Sequence, residues 1–208
     1  MAHHSHEYEK FHALSPEKQT LIINTAMAEF VRGGYEKASM NTIVENAGIS
    51  KGSLFFYFKN KKQLFLYLFH LCEEMVVDNT TASLENDTRD FLDRMKRIMR
   101  GNVTLIKQHP LVFAFMRTAK SENALEVVAE VAALTNTASE AVFKSVYSAI
   151  DETLFKPEID IPMAVFTVKA TLFQLIHDFL RSGETQTDEL LSRIDAQILF
   201  FKALFYTH

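Results

Sequence analysis

Apolar residues recur three and four positions apart along most of the chain, which is the spacing of one face of an α-helix. Ile22, Ala26 and Phe30 show this spacing near the start, and Met163 and Phe166 show it near the end. Glycine and proline are scarce, at 6 and 4 of 208 residues. The pattern therefore predicts an all-α fold of about nine helices. The predicted segments are residues 15–33, 39–47, 50–58, 60–79, 88–108, 110–119, 123–154, 161–181 and 187–206.

The first four predicted helices begin and end at residues suited to helix termini. Ser15, Ser39, Ser50 and Asn60 can each cap a helix N-terminus, and Gly48 suits a tight left-handed turn between the second and third helices. A short helix, a tight turn and a second short helix form a helix-turn-helix, and the second helix of such a unit can enter the major groove of DNA.

The same signals predict the domain boundaries. Residues 15–60 are expected to form a three-helix DNA-binding domain. Residues 61–208 are expected to form an effector-binding and dimerisation domain, which begins with a connecting helix over residues 61–79. Residues 1–14 open with a His-rich stretch and are interpreted as a disordered tail or the remnant of an expression tag.

The last two predicted helices are apolar on two sides, which indicates a central position or a second partner. One interpretation is a homodimer in which each subunit gives two helices to a four-helix bundle, and the other is a single thick core. We favour the dimer, because a helix-turn-helix generally acts as two copies. The predicted interface residues are Met163, Phe166, Ala170, Phe173, His177, Leu180, Leu191, Ile194, Ile198, Phe201 and Phe205; a second apolar stripe contains Leu199, Phe200, Ala203 and Leu204.

Charge is distributed unevenly along the chain, although its formal net value is -4. Residues 1–70 carry a balance of +2 and residues 71–208 a balance of -6. Between Lys37 and Lys62 five lysines accompany a single acid, Glu45. A local basic patch is what phosphate binding needs, so this distribution favours nucleic acid as a partner of the N-terminal domain.

Ten residues around the predicted turn can serve DNA binding. Hydroxyl groups at helix starts can hold phosphate or simply cap the helix, and a lysine and serine in the first turn of the second short helix can reach base edges. A glycine there lets the backbone approach DNA, and lysines at the next helix start can neutralise phosphate. Tyr57 can instead pack under the fourth helix. The predicted contacts are Ser39, Thr42, Ser50, Lys51, Gly52, Ser53, Phe56, Tyr57, Lys61 and Lys62.

The segment GGYEKASMNTIVENAGISKGSLFFYFKNKKQLF resembles the DNA-binding segment of the tetracycline-repressor (TetR) family of transcriptional regulators. The resemblance covers about residues 15–69, a third of the chain. It is specific, because the turn, the glycines, the aromatic residues and the lysine all fall in register. It implies a homodimer that binds a palindromic operator on double-stranded DNA and represses until a small molecule enters the C-terminal domain. Family members often have tyrosine where this chain has Phe55, so Phe55 is assigned to the core.

Soft and aromatic residues concentrate in the middle of the second domain, where they can line an apolar effector pocket or fill a core. The effector itself is unknown and is expected to be small and apolar. The predicted pocket residues are Met95, Met99, Phe113, Met116, Phe143, Tyr147, Phe166 and Phe173.

The sequence argues against several other classes of protein. It lacks HExxH, CxxC, GxSxG and phosphate-loop motifs, so neither an enzyme nor a bound metal or cofactor is expected. The single cysteine, Cys72, lies among apolar residues and is expected to be a buried structural thiol. No uninterrupted apolar run or leader peptide is evident, so we expect a cytoplasmic protein without a membrane partner. The alternative function is a helical lipid-binding or protein-interaction module that does not bind DNA.

Overall fold

The computed structural model describes residues 8–84, 88–147, 150–183 and 186–207, and it is all-α over these residues. The His-rich positions His3, His4 and His6 lie outside them. Over the described residues the chain forms ten α-helices, and no strand is assigned there beyond one isolated bridge between Phe155 and Tyr206. The helices are α1 (Glu9–His12), α2 (Pro16–Lys37), α3 (Met40–Ala47), α4 (Lys51–Phe58), α5 (Lys61–Ser83), α6 (Phe91–Gln108), α7 (Leu111–Lys120), α8 (Val128–Tyr147), α9 (Ile161–Ser182) and α10 (Thr187–Phe205).

The chain divides into two compact units. The first unit contains the chain up to Glu74 together with Leu111–Thr137, and the second contains Met75–Pro110 together with the chain from Ala138 onward. This division differs from the boundary expected at residue 60, because α7 and the start of α8 join the N-terminal helices. Helix α5 begins in the first unit and ends in the second.

The helix-turn-helix forms where the capping residues predict it. The side chains of Ser39 and Ser50 accept hydrogen bonds from the backbone N–H groups of Thr42 and Ser53, at 3.3 and 3.0 Å. Gly48 ends α3 with φ 63°, a left-handed conformation that costs glycine little. These contacts set where α3 ends and where α4 begins, so local sequence fixes the turn.

Aromatic side chains fill the core of the first unit. Phe30 of α2, Phe65 of α5 and Phe115 of α7 are fully buried, and their ring centroids lie 5.0 to 6.0 Å apart. Leu54 and Phe58 are the buried residues of α4. Burial of such large rings provides most of the driving force for packing, so α4 is held by its inner face while its other faces stay exposed.

The first residues that the structure describes are ordered, which corrects the prediction of a disordered tail for residues 8–14. Tyr8 and Phe11 are buried, and Phe11 lies 4.8 Å from Phe58 between ring centroids. The Gln19 side chain donates hydrogen bonds to the carbonyl groups of His12 and Leu14. Two aromatic residues three apart can anchor a single helical turn, a signal that the His-rich composition of the segment obscured.

The second unit contains α6, α9 and α10, with α10 packed against both of the others. Asp90 caps α6 and also accepts hydrogen bonds from the Tyr206 hydroxyl at 2.9 Å and the Lys202 ammonium at 3.0 Å. The segment expected to be one helix over residues 123–154 is divided: α8 covers Val128–Tyr147 and a 3₁₀ turn covers Glu152–Leu154.

Cys72 is fully buried in the first unit, and burial raises the pKa of its thiol to about 12. The thiol is therefore protonated at neutral pH, which confirms the prediction of a structural cysteine.

Helix α9, Ile161–Ser182, is long and apolar enough to cross a membrane by length and composition alone. Ala164, Val168 and Leu172 of this helix are nevertheless buried in the protein, and core helices of soluble proteins meet the same criterion. The length of α9 is therefore weak evidence for a membrane.

Candidate nucleic-acid interface

The first turn of α4 exposes polar groups and a glycine. The Ser50 and Ser53 hydroxyl groups lie 2.8 Å apart, Lys51 is exposed, and Ser53 is half-buried. A Cβ at Gly52 would meet only the Ser50 Oγ, at 3.8 Å, so packing does not require glycine at this position. Glycine inside a helix is unfavourable relative to alanine by about 0.5–1 kcal/mol. Close approach of another molecule is a physical reason to keep it there.

The first turn of α3 is fastened to α2 by a buried carboxylate. Glu29 accepts a hydrogen bond from the Ser39 backbone N–H at 2.8 Å. It also accepts a bidentate pair from Arg32, from Nη2 at 2.8 Å and from Nε at 3.1 Å. Burial raises the pKa of Glu29, but the hydrogen bonds from Arg32 and Ser39 outweigh burial and hold it below its usual range. The Thr42 side chain is half-buried and its N–H is bound by Ser39. Ser39 therefore acts as an N-cap, and its contact with phosphate stays a prediction.

The three aromatic residues at the centre of α4 have different surroundings. Phe56 is 59% exposed, in line with a surface role. Tyr57 is half-buried, and its ring meets Phe11 and Phe58 at 6.0 and 6.4 Å, so it serves packing as well as the surface. Phe55 is 37% exposed, and the Lys51 ammonium lies 5.9 Å from its ring centroid.

The assignment of Phe55 to the core is therefore wrong. Residues 54 and 58 lie four apart and occupy the inner face of α4, whereas residue 55 is rotated by about 100° from residue 54. The ring consequently belongs to the same surface as Lys51, four residues before it.

The two lysines at the start of α5 are both engaged within the protein. The Lys61 ammonium donates to the Glu36 carbonyl at 2.9 Å and lies 5.0 Å from the Tyr35 ring centroid. The Lys62 ammonium donates to the Glu130 carboxylate at 2.6 Å. Lys61 remains near the end of α2, while Lys62 is neutralised by an acid of α8. Of the two predicted phosphate contacts, Lys62 is thus the less available.

The predicted effector pocket is only partly assembled. Phe143, Tyr147 and Phe166 line an open groove of about 630 Å³ in the second unit. Met95, Met99 and Met116 are buried, and neither they nor Phe113 and Phe173 line this groove. Phe113 and Met116 belong to the first unit. The sequence missed the remaining lining residues, which follow α8 or begin α9: Ile150, Glu152, Ile159, Ile161, Pro162, Val165 and Lys169.

The sequence contains a pattern that could have identified the residues of this groove. Ile150, Ile159 and Val165 are apolar residues beside a turn-rich segment that contains Pro157 and Pro162. Apolar residues around a break between two helices often line a cleft, whereas methionines inside a strongly amphipathic helix face its core.

Four residues of the apolar stripe predicted on α9 are exposed. Met163 and Phe166 are 62% and 67% exposed, and Ala170 and Phe173 are exposed with them. His177 and Leu180 continue the stripe at half-buried positions. Among the residues that the structure describes, none covers this face.

The apolar stripe predicted for α10 is wrong in orientation. Ile194, Ile198 and Phe201 are buried inside the subunit, and Leu191 and Phe205 are half-buried. The exposed stripe is the second one: Leu199 and Phe200 are 68% and 57% exposed, and Ala203 and Leu204 are exposed beside them. Both stripes have helical spacing and similar hydropathy, so only packing against α6 and α9 distinguishes them.

Comparison with known proteins agrees with the geometry of the N-terminal helices. Residues 22–68 match the family described as bacterial regulatory proteins, tetR family. A probable acrEF/envCD operon repressor of Escherichia coli K12 is 33% identical over 69 residues, which are 32% of this chain and 31% of that protein. The chain thus matches about a third of the length of that relative, and the match is confined to one region.

Two solved structures resemble the chain over nearly its whole length. A TetR family transcriptional regulator from Chloroflexus aurantiacus J-10-FL has a TM-score of 0.68 at 23% identity, covering 96% of this chain and 98% of that one. The transcriptional regulator FadR from Bacillus subtilis, in complex with stearoyl-CoA, has a TM-score of 0.63 at 13% identity, covering 88% and 97%. These similarities show a shared fold. Residues 22–68 therefore carry the helix-turn-helix segment of the tetR family of bacterial regulatory proteins, and the fold of the chain is the one seen in TetR family transcriptional regulators.

Proposed function

We propose that this protein is a sequence-specific DNA-binding repressor in the cytoplasm, bound as a homodimer to a palindromic operator and released by a small apolar effector. The observation that carries the proposal is the first turn of α4. Ser50, Lys51 and Ser53 present donors next to Gly52, where a Cβ would meet, among the described residues, only the Ser50 Oγ at 3.8 Å. Such a turn fits the major groove, where Lys can read guanine and Ser can read several bases.

The exposed apolar faces of α9 and α10 support the homodimer. Both faces belong to the second unit, and the two helices pack against each other. Large apolar residues exposed on adjoining helices commonly mark an interface, and a two-fold pair of such faces makes a four-helix bundle. The proposed seam consists of Met163, Phe166, Ala170 and Phe173 of α9 with Leu199, Phe200, Ala203 and Leu204 of α10. Dimerisation would place two α4 helices on one DNA duplex.

The groove at the α8–α9 connection is the proposed effector site. Its lining is mainly apolar, with Phe143, Phe166 and Tyr147 as rings and Glu152 and Lys169 as its two charged residues. A volume of about 630 Å³ suits a drug-sized or lipid-like molecule. Lys169 can pair with an acidic group on an otherwise apolar ligand. The stearoyl-CoA bound to the Bacillus subtilis FadR is a molecule of that chemistry.

Helix α5 is the proposed route from effector to DNA. Its first part belongs to the unit that contains α4, and its last part belongs to the unit that contains the groove. An effector that favours one position of α5 would change the spacing of the two α4 helices. By thermodynamic linkage, bound operator must then lower effector affinity by the same factor. Equal effector affinity with and without operator would contradict this mechanism.

Selection of bound fragments from a random duplex pool tests the function directly. The purified protein is incubated with the pool at near-physiological salt, and bound duplexes are sequenced after several rounds. We expect enrichment of a palindrome whose half-sites are about one helical turn apart. A Lys51→Ala protein serves as the control and should enrich that palindrome weakly or accept more sequences. No enrichment by either protein, after removal of copurified lipid, would support the lipid-binding alternative.

A further inference from the structure

Helix α1 and its N-cap residue contact three other helices of the first unit, α4, α5 and α2. Its Phe11 ring meets Phe58 of α4 at 4.8 Å, and its Tyr8 ring meets Tyr67 of α5 at 4.7 Å between centroids. The Tyr8 hydroxyl donates to the Gln63 side chain at 2.9 Å. On the third side, α2 holds the end of α1 through Gln19. The family match begins at residue 22, so α1 is an addition to the matched segment.

This anchoring brings a lysine to the exposed surface of α4. The Lys10 ammonium lies 3.8 Å from the centroid of the Phe56 ring, within the range of a cation–π contact. Lys10 is exposed, and Phe56 remains largely exposed beneath it. Phe56 lies four residues after Gly52 and three after Ser53, so it shares the helix face of both. Lys10 therefore stands beside the groups through which α4 is proposed to read DNA.

The position of Lys10 and its charge suit it to contact the DNA backbone. The two exposed phenylalanines of α4 each have a lysine near the ring, Lys51 near Phe55 and Lys10 over Phe56. A phenylalanine ring can contact a thymine methyl group in the major groove, and a cation beside it then faces the sugar-phosphate backbone that borders the groove.

We propose that Lys10 is a DNA-contacting residue that binds a backbone phosphate beside the bases met by Phe56. The recognition surface thereby extends beyond the helix-turn-helix to α1. This inference rests on the proposed DNA-binding function.

A salt titration with three proteins tests the inference. Wild type, Lys10→Met and Lys10→Arg are titrated onto the enriched palindrome by fluorescence anisotropy, at salt concentrations from low to physiological. Methionine keeps a long apolar stem over Phe56 and removes the charge, whereas arginine keeps the charge. Each phosphate contact contributes about 0.9 to the slope of log affinity against log salt. With two copies per dimer, Lys10→Met should flatten the slope by about 1.8 and Lys10→Arg should leave it unchanged.

Lys107→Met is the matched control, because Lys107 lies on α6 in the second unit and pairs with Asp188. Its slope should equal that of wild type. Thermal unfolding of each variant checks that α1 stays packed against α4. The Phe11→Ala protein gives the unfolding temperature expected when this packing is lost. If Lys10→Met binds with the wild-type slope, the inference is wrong while the proposed function stands. If wild type itself shows no salt-dependent binding, both fail.

Discussion

Lys62 donates a hydrogen bond of 2.6 Å to the carboxylate of Glu130, so a lysine that the sequence assigns to DNA is neutralised within its own subunit. The hydrogen bond from Lys62 holds the pKa of Glu130 below its usual range. Lys51, in contrast, is exposed at the start of α4. The two lysines carry the same charge but are expected to contribute differently to DNA binding.

Substitution of each lysine by alanine checks this difference. Lys51→Ala should weaken binding to the enriched palindrome by about 1–3 kcal/mol and relax its sequence preference. Lys62→Ala should change affinity by less than about 0.5 kcal/mol, since its charge is already paired. Gel-shift titrations on the palindrome and on a scrambled duplex measure both effects. Equal losses for the two variants would contradict the assigned roles.

Substitution of Gly52 by alanine is expected to have opposite effects on stability and on DNA affinity. A methyl group at this position has room, with only the Ser50 Oγ at 3.8 Å, so Gly52→Ala should raise the free energy of unfolding by about 0.5–1 kcal/mol. The same methyl group would stand between α4 and DNA, and we expect at least about a tenfold loss of affinity, or ~1.4 kcal/mol. Urea unfolding and anisotropy measure the two quantities. A variant that is more stable and binds normally would show that DNA does not approach Gly52.

Glu29 makes the stability of the DNA-binding unit depend on pH. Because its folded pKa lies below its unfolded value of about 4.3, its contribution is complete above that value and is lost as pH falls through the folded pKa. Glu29→Gln should cost about 1–3 kcal/mol of stability at pH 7, since Arg32 and the Ser39 N–H lose a charged acceptor. It should also flatten the decline of stability between about pH 5 and 3. Parallel unfolding curves for both proteins across that range would contradict the role of Glu29.

The two faces of α10 can be tested with one substitution on each. Phe200 is exposed, so Phe200→Glu should leave the subunit folded and shift it from dimer to monomer, because a carboxylate would be buried in the seam. Ile198 is buried, so Ile198→Ala should lower stability by about 2–4 kcal/mol through a cavity and leave the seam chemically intact. Light scattering over a concentration series and thermal unfolding distinguish the two. A dimeric Phe200→Glu protein would place the seam elsewhere.

The sequence predicted the parts of this fold that depend on local chemistry. Ser39, Ser50 and Gly48 determine helix ends through hydrogen bonds and a left-handed turn, so their roles could be recognised without a structure. The all-α fold and the resemblance of residues 22–68 to the TetR family are also confirmed. Both could be predicted because they depend on local residue patterns. Phe55 was wrongly assigned to the core. Which face of α4 is buried depends on how the neighbouring helices pack against it, and the sequence of α4 alone does not show this.

The sequence could not show which of two similar apolar patterns is buried in the folded protein. Ile198 and Leu199 are adjacent and equally apolar, yet packing against α6 and α9 buries one and exposes the other. Likewise, the ion pair of Lys62 joins residues 68 positions apart, and nothing near Lys62 in the sequence indicates it.

We propose that α4 and the basic residues around it bind DNA phosphates and bases. The most direct measurement is the affinity of wild-type protein for its enriched duplex as a function of salt. We expect a linear fall of log affinity with log salt, with a slope of about -0.9 for each phosphate contacted and several contacts per dimer. Affinity that stays constant across the salt range, or no binding to any duplex at low salt, would contradict it.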